Sequence, residues 1–407
     1  SQAIFGLWQD MGTVPPASDP GFNVNSWAWY IAATASNRGV WTNSAKLFTV
    51  ATLDNTYDML VAVDIDAGKM WFGTDIGGTT VWYNSAGGTT GDPATGANPT
   101  ATFTAGSPMY FAGQANGNTI TANFGQSSFA YTAPTGFKFL STANLPAPAI
   151  KDGSAYFQTT LYTGNQTARS ITGVGFQPDF VWAKNRAFAE SHILSDAVRG
   201  ATLLMKSNTT GAESTNTQGL TSFDTDGFSL GTSLEPNKSG DAYVAWNWLA
   251  GNGTAEVTVG SITSTVSANQ TAGFSVVTYT GTGSAATVGH GLSTTPEMII
   301  VKNRSASWGW FVYNSNLTNP TTGRLQLNLT NGEIAGGTPG PWNNTAPTSD
   351  VFSIGNSSFP EVNGSGNSIV AYCFAEVEGF SKFGKYTGNG SADGPFVWCG
   401  VKPAFVL

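Results

Sequence analysis

Charge is scarce in this sequence: 10% of its 407 residues are Asp, Glu, Lys or Arg, against about 25% in an ordinary globular domain. The 17 basic residues are scattered singly under a net charge of −8. That leaves no basic stripe to neutralise phosphates, so nucleic acid is not an expected partner. Cysteine is nearly absent too. Cys373 and Cys399 are too few for a disulfide framework and have no Cys or His neighbours at zinc-site spacing; buried free thiols are expected, with a single disulfide as the alternative. No apolar run approaches the roughly 18 residues of a membrane span and no secretory signal pattern opens the chain, so membrane insertion is not expected. No Gly-x-Ser-x-Gly elbow, His-Glu-x-x-His pair or phosphate-cradling loop occurs. An enzyme is therefore not expected, and neither a cofactor nor a metal is implied.

What is present is 50 Gly, 12% aromatic residues and an abundance of Ser, Thr and Asn. Short polar side chains compete for backbone hydrogen bonds and favour turns, while Thr and aromatics suit a pleated surface. The prediction is an all-β chain, long enough for two to four domains with cores of their own. A strand is predicted at Ile4 to Trp8. Asp58 to Asp64 and Met70 to Gly73 read as a hairpin closed by a turn at 65–69, Thr119 to Gln126 as a later strand, and 84–101 as a variable surface loop. Both ends look cut, because the chain opens within a strand and stops in the apolar run Phe405-Val406-Leu407; a longer parent polypeptide is expected.

The segment Val61-Ala62-Val63-Asp64-Ile65-Asp66-Ala67-Gly68-Lys69-Met70-Trp71-Phe72 and the later Ala122-Asn123-Phe124-Gly125-Gln126-Ser127-Ser128-Phe129-Ala130-Tyr131 resemble the late hairpin and closing strand of SPRY domains, a concanavalin-like β-sandwich. The resemblance implies an N-terminal sandwich over 1–146 that lacks the family's opening strands.

From residue 152 the chain repeats itself, with a period of about 110 residues that is too long for a solenoid unit. Each copy opens on an aromatic strand ending Tyr-Thr-Gly, at Tyr162, Tyr279 and Tyr386. A Pro and an apolar strand follow, at Pro178-Asp179-Phe180-Val181, Pro296-Glu297-Met298-Ile299 and Pro403-Ala404-Phe405-Val406. The first two copies continue with Lys184-Asn185-Arg186 and Lys302-Asn303-Arg304. They close on Val244-Ala245-Trp246 and Val370-Ala371-Tyr372. The expected architecture is a SPRY-like sandwich followed by tandem jelly-roll-like β-sandwich repeats at 152–250 and 256–378, with the start of a third at 379–407. Each is expected to bury its own core, like beads in series.

Aromatic side chains in polar loops are the natural ligand contacts, offering a face to stack on and a polar tip. Trp308, Trp310 and Trp342 lie among Ser, Asn, Gly and Pro, whereas Trp71, Trp182, Trp246 and Trp248 occupy strand patterns and read as core. Lys184, Arg186, Lys302 and Arg304 recur after the same strand; they could pair with acids or cap a sandwich edge, and planar Arg also suits carboxylated sugars. Asp224, Asp226, Glu213 and Asp241 are the acids a sugar-cleaving site would draw on, but turn chemistry accounts for them. Asp64 and Asp66 lack the further oxygen ligands of a calcium site and read as hairpin-turn acids. His192 and His290 read as turn or surface residues.

The tandem array behind a SPRY-like domain resembles repeat regions of large structural proteins of tailed phages, especially marine and cyanobacterial ones. The resemblance implies a virion-surface or extracellular tail fibre or similar appendage, contacting other virion proteins and a host-surface glycan or receptor. It implies a homo-oligomer, a trimer by analogy with phage fibres. A secreted bacterial adhesin or carbohydrate-binding protein is the alternative reading, and a polysaccharide depolymerase the third.

Overall fold

The computed structural model describes all residues except 1, 10–24, 32–33, 54–57, 77, 108, 117–120, 145–147, 393 and 396. The chain is all-β, with strands in several antiparallel sheets and, among the described residues, only short helical turns. It divides into two compact units, 1–146 and 147–407.

The first unit holds β1 (Gln2–Gln9), β2 (Ser26–Ile31), β3 (Gly39–Thr42), β4 (Ala45–Thr49), β5 (Met59–Asp64), β6 (Lys69–Ile76), β7 (Thr79–Tyr83), β8 (Ala101–Thr102) and β9 (Met109–Asn116). One sheet runs β4-β3-β2-β1-β9 and the other β5-β6-β7, with β8 on β6. Trp29 of the first sheet meets Phe72 and Tyr83 of the second edge to face, at the centre of a core that includes Val40, Leu53 and Met70. The predicted hairpin forms, closing at Asp64 opposite Lys69. Gly68 in its turn has φ of +64°, and a Cβ there would lie 2.4 Å from the Phe103 carbonyl. Of the strand predicted at 119–126, the described residues 121–126 form none. Thr119 and Ile120 lie outside the described residues, and Thr121 to Gln126 is irregular, because Asn123 instead turns the chain by accepting from Gly125 N–H and donating to the Ser127 carbonyl. The edge of the sheet is formed earlier, by β9 on β1.

In the second unit, repeat one comprises β10 (Phe157–Thr163), β11 (Arg169–Thr172), β12 (Phe180–Asn185), β13 (Ile193–Asp196), β14 (Leu203–Leu204), β15 (Ser214–Thr215), β16 (Leu220–Asp224), β17 (Gly227–Leu230), α1 (Leu234–Asn237) and β18 (Ala242–Trp248). Repeat two comprises β19 (Ala255–Val257), β20 (Ser264–Asn269), β21 (Phe274–Thr280), β22 (Ala286–Gly289), β23 (Met298–Asn303), β24 (Trp310–Asn314), β25 (Leu325–Gln326), β26 (Val351–Ile354), α2 (Pro360–Asn363) and β27 (Ser368–Phe374). The repetition extends to register. Phe180 faces Trp248 and Asp196 in repeat one, and Met298 faces Phe374 and Asn314 at the same places in repeat two.

Each repeat is a sandwich. The sheet β10-β18-β12-β13 lies over β11-β17-β16, and β19-β20-β21-β27-β23-β24-β25 over β22-β26. Phe228, Val181 and Tyr243 fill the first sandwich; Phe352, Val301 and Trp342 fill the second. The arrangement departs from beads in series, because a third core joins them. Phe180, Trp182, Leu194 and Trp248 of repeat one pack against Phe274, Ile300, Val312 and Tyr372 of repeat two. The two large sheets therefore meet through the same face, and β12 and β23 are apolar on both sides. Successive side chains of a strand alternate between faces: Phe180 and Trp182 point to the shared core, Val181 and Ala183 to their own sandwich. Of the third copy, Tyr386-Thr387-Gly388 forms no strand and Tyr386 is exposed. Phe405, which matches Phe180 and Met298, lies against Phe157, Trp246 and Trp248 at the rim of the shared core.

Candidate functional site

The residues that recur between repeats converge on one structural latch. The hydroxyl of Tyr162 donates to the Pro236 carbonyl in α1, and that of Tyr279 to Val362 in α2, both at 2.8 Å. The glycine two residues on sits where a Cβ would lie 2.2 Å from the Lys238 carbonyl in repeat one and 2.3 Å from the Gly364 carbonyl in repeat two. Close backbone approach, not a turn, requires Gly164 and Gly281. The last residue of each short helix completes the latch. Asn237 donates to the carbonyls of Thr167 and Gly231 and accepts from Asn165 N–H; Asn363 donates to Ser284 and Gly355 and accepts from Thr282 N–H. Both asparagines are fully buried, so these bonds replace water that cannot reach the loop.

The Lys-x-Arg pairs have related geometry but different surroundings. Lys184 folds back to donate to the carbonyls of Asn185 and Phe188. Lys302 makes the equivalent bonds to Asn303 and Ala306 and a third, at 3.2 Å, to Thr210 of repeat one. Lys302 is fully buried, and burial pulls its ammonium down to about 8. Arg186 is exposed. Arg304 forms a bidentate pair with Glu213 of repeat one, both bonds at 2.9 Å.

Glu213 opens a chain of buried charge that runs into the joint between repeats. Arg199 donates to Glu213 at 2.8 Å and to Asp196 at 2.5 Å, with its own side chain and that of Asp196 wholly buried. Tyr372 of repeat two donates to Asp196 at 2.7 Å and lies 3.3 Å from Arg199. Burial works to raise the Glu213 carboxyl, but Arg304 and Arg199 outweigh it and hold it below the ordinary carboxylate range. Burial likewise opposes the charge on Arg199, yet Asp196, Tyr372 and Glu213 raise it. Asp179 ties the linker in: it accepts from Ala250 and Asn252 N–H and from the Ser267 hydroxyl. Sequence inspection singled out Arg304 and Glu213 and named Asp179 and Tyr372 only as members of the repeat motifs; it missed Asp196 and Arg199, which sit in or beside a strand and look like ordinary surface residues in a one-dimensional reading.

The aromatic candidates separate sharply. Trp310 is fully buried with its indole N–H on the Lys206 carbonyl across the joint, and Trp342 is fully buried with its N–H on Gly323. Neither presents a ring face to a ligand, which corrects the loop reading of both. Trp308 alone is open, at 39% exposure. Trp71, Trp182 and Trp248 are buried and Trp246 partly so.

The acids are held in separate local arrangements. Asp226 accepts from Gly173 and Gly175 N–H, Asp224 from Ser222 and Ser229, Asp241 from Asn185, and Asp64 from Ala67 N–H in its hairpin turn. Among the described residues no group of three or more His, Cys, Asp or Glu gathers as a metal site would require. His192 accepts from the Trp182 indole, and His290 is buried beside the Thr348 carbonyl, not at the surface; burial lowers both imidazoles. Cys373 and Cys399 are unpaired, and burial pushes the Cys373 thiol up to about 12. Two small cavities in this unit, of about 10 and 50 Å³, have room for water but not for a sugar ring. No helix among the described residues is long and apolar enough to cross a membrane.

Compared with known proteins, residues 152–407 match a family model described as a domain of unknown function, DUF7483. No curated protein and no solved structure matches the chain.

Proposed function

The chain belongs to the DUF7483 family, and from that premise we propose that it is a structural part of an extracellular or virion-surface appendage, a phage tail fibre or similar, that attaches through its loops to a host glycan or receptor. One observation carries this reading: the residues that recur between the repeats, Arg186 excepted, are engaged in internal latches and in the joint between them. A repeat conserved in this way within one chain serves rigidity and display. What it displays is a neutral polar loop surface carrying a few open contact residues, Arg186, Phe188 and Trp308 among them, the residue types that favour sugars and protein surfaces.

The test is immunogold electron microscopy with antibodies raised against the folded chain, applied to particles and cells from its source. Label on particle appendages supports the reading. Label confined to the bacterial surface, with none on particles, would replace it with the adhesin reading. A glycan array then addresses attachment: Trp308→Ala and Arg186→Ala should reduce binding without changing the melting transition. Oligosaccharide released from host capsule would overturn the non-enzymatic reading.

A further inference from the structure

Strand β10 and its counterpart in repeat two differ in what flanks them. In repeat two the equivalent strand, β21, is flanked on one side by β27 and on the other by β20, paired antiparallel from Ser264 opposite Tyr279 to Asn269 opposite Phe274. In repeat one β10 pairs with β18 and, among the described residues, with no other strand. Gly164 N–H, just beyond β10, donates to the Asp241 carbonyl at 2.8 Å. Because bonding alternates along an antiparallel strand, Tyr162, Thr160 and Gln158 turn their backbone groups to β18. Phe157, Thr159, Leu161 and Thr163 turn theirs to the open side. Two of these groups are covered locally, Thr159 N–H by the Gln158 side chain and the Thr163 carbonyl by Arg169.

Open edges are normally blunted by Lys, Pro or a bulge. The sequence Phe-Gln-Thr-Thr-Leu-Tyr-Thr has none of these, its register with β18 is unbroken, and Leu161 at its middle is 61% exposed. Leu161 shares a face with Phe157, by the two-residue period of a strand, and Phe157 packs on Trp248 of the shared core. The exposed strip is thus continuous with the interface that already joins the repeats.

We propose that β10 is an assembly edge at which two copies of this chain join, β10 to β10 and antiparallel, making one continuous sheet across a two-fold axis. The strand is uncharged and self-complementary: full overlap places Leu161 opposite Thr159 on both sides of the axis. Repeat two shows the occupant this edge is shaped for, an antiparallel strand in the position of β20, and strand addition of this kind draws its affinity from main-chain hydrogen bonds. The proposal does not depend on the appendage reading, since solution mass tests one and location the other.

Sedimentation velocity of the full chain, over concentrations reaching on the order of 100 μM, tests it. The wild type should sediment as a dimer. Leu161→Lys, and separately Thr159→Pro, which removes the outward N–H that Gln158 caps in the lone chain, should weaken the dimer at least about tenfold while leaving unchanged the thermal melt taken at concentrations too low for the wild type to dimerise. Leu161→Val should retain it. A wild type that stays monomeric throughout, or a dimer or trimer that survives both disrupting substitutions, would overturn the proposal.

Discussion

Repeats one and two carry the same latch in the same register, yet the Lys-x-Arg pair that follows it leads two lives. In repeat one Lys184 is half-buried and Arg186 exposed; in repeat two Lys302 is sealed beneath Thr210 and Arg304 is clamped by Glu213. The side chains and their local backbone bonds are alike, so the difference comes from what lies across the joint. A recurring motif therefore fixes local geometry, while its electrostatic role is set by the neighbour it meets.

That comparison breaks most decisively at Arg199. Arg199→Met strands the buried Asp196 without its cation and leaves Glu213 only Arg304, and should cost roughly 3–5 kcal/mol, read as a loss of stability in urea unfolding; a loss under ~1 kcal/mol would show that the charge chain does not hold the repeats together. Trp310→Ala should cost about as much, ~3–5 kcal/mol by cavity formation, whereas Trp308→Ala should stay within about 0.5 kcal/mol. Equal costs at the two tryptophans would contradict the burial difference. Asn237→Ala and Asn363→Ala should each cost ~1–3 kcal/mol by orphaning buried carbonyls, and similar values in the two repeats would confirm that the latch is shared. Lys302 sharpens the comparison by pH. Its folded value lies near 8, below the ordinary lysine value of the unfolded chain, so between the two the unfolded state holds more protons and stability should rise with pH by at most about 1.4 kcal/mol per unit. Lys302→Met should abolish that rise. The smallest effect is expected at Arg186→Met, within about 0.5 kcal/mol, against a clear loss for Arg304→Met.

The strand pattern was legible: Ile4 to Trp8, the 58–73 hairpin, and the apolar strands after Pro178 and Pro296 all form. The latch announced itself as Tyr-Thr-Gly, although its physical reason, a glycine pressed against a carbonyl, needs the fold. The fusion of the repeats was also written in the chain and went unread. Phe180-Val181-Trp182-Ala183 and Met298-Ile299-Ile300-Val301 are unbroken apolar runs, and an antiparallel strand with no polar face has both faces covered. Trp342 misled because its neighbours Gly340, Pro341, Asn343 and Asn344 are loop-forming residues, and Trp310 because Ser and Gly precede it, although the run Trp310-Phe311-Val312-Tyr313 that it opens is a strand. What buries them arrives from elsewhere: Lys206, whose carbonyl takes the Trp310 indole N–H, lies about a hundred residues away in the chain, and Trp342 packs on Tyr313 in the core of repeat two. Over 121–126 the expected strand gives way for a local reason, since Asn123 can satisfy turn N–H and C=O groups that a ladder would otherwise claim.

The meeting of like faces has an arithmetic. A surface that matches only itself is used up once two modules have found each other, so such a pair is sated and offers nothing for another whole module to grip in the same way. Lengthening by one module would leave a greasy sheet bare, while lengthening by two would not; gene duplication acting on such a chain should favour even numbers.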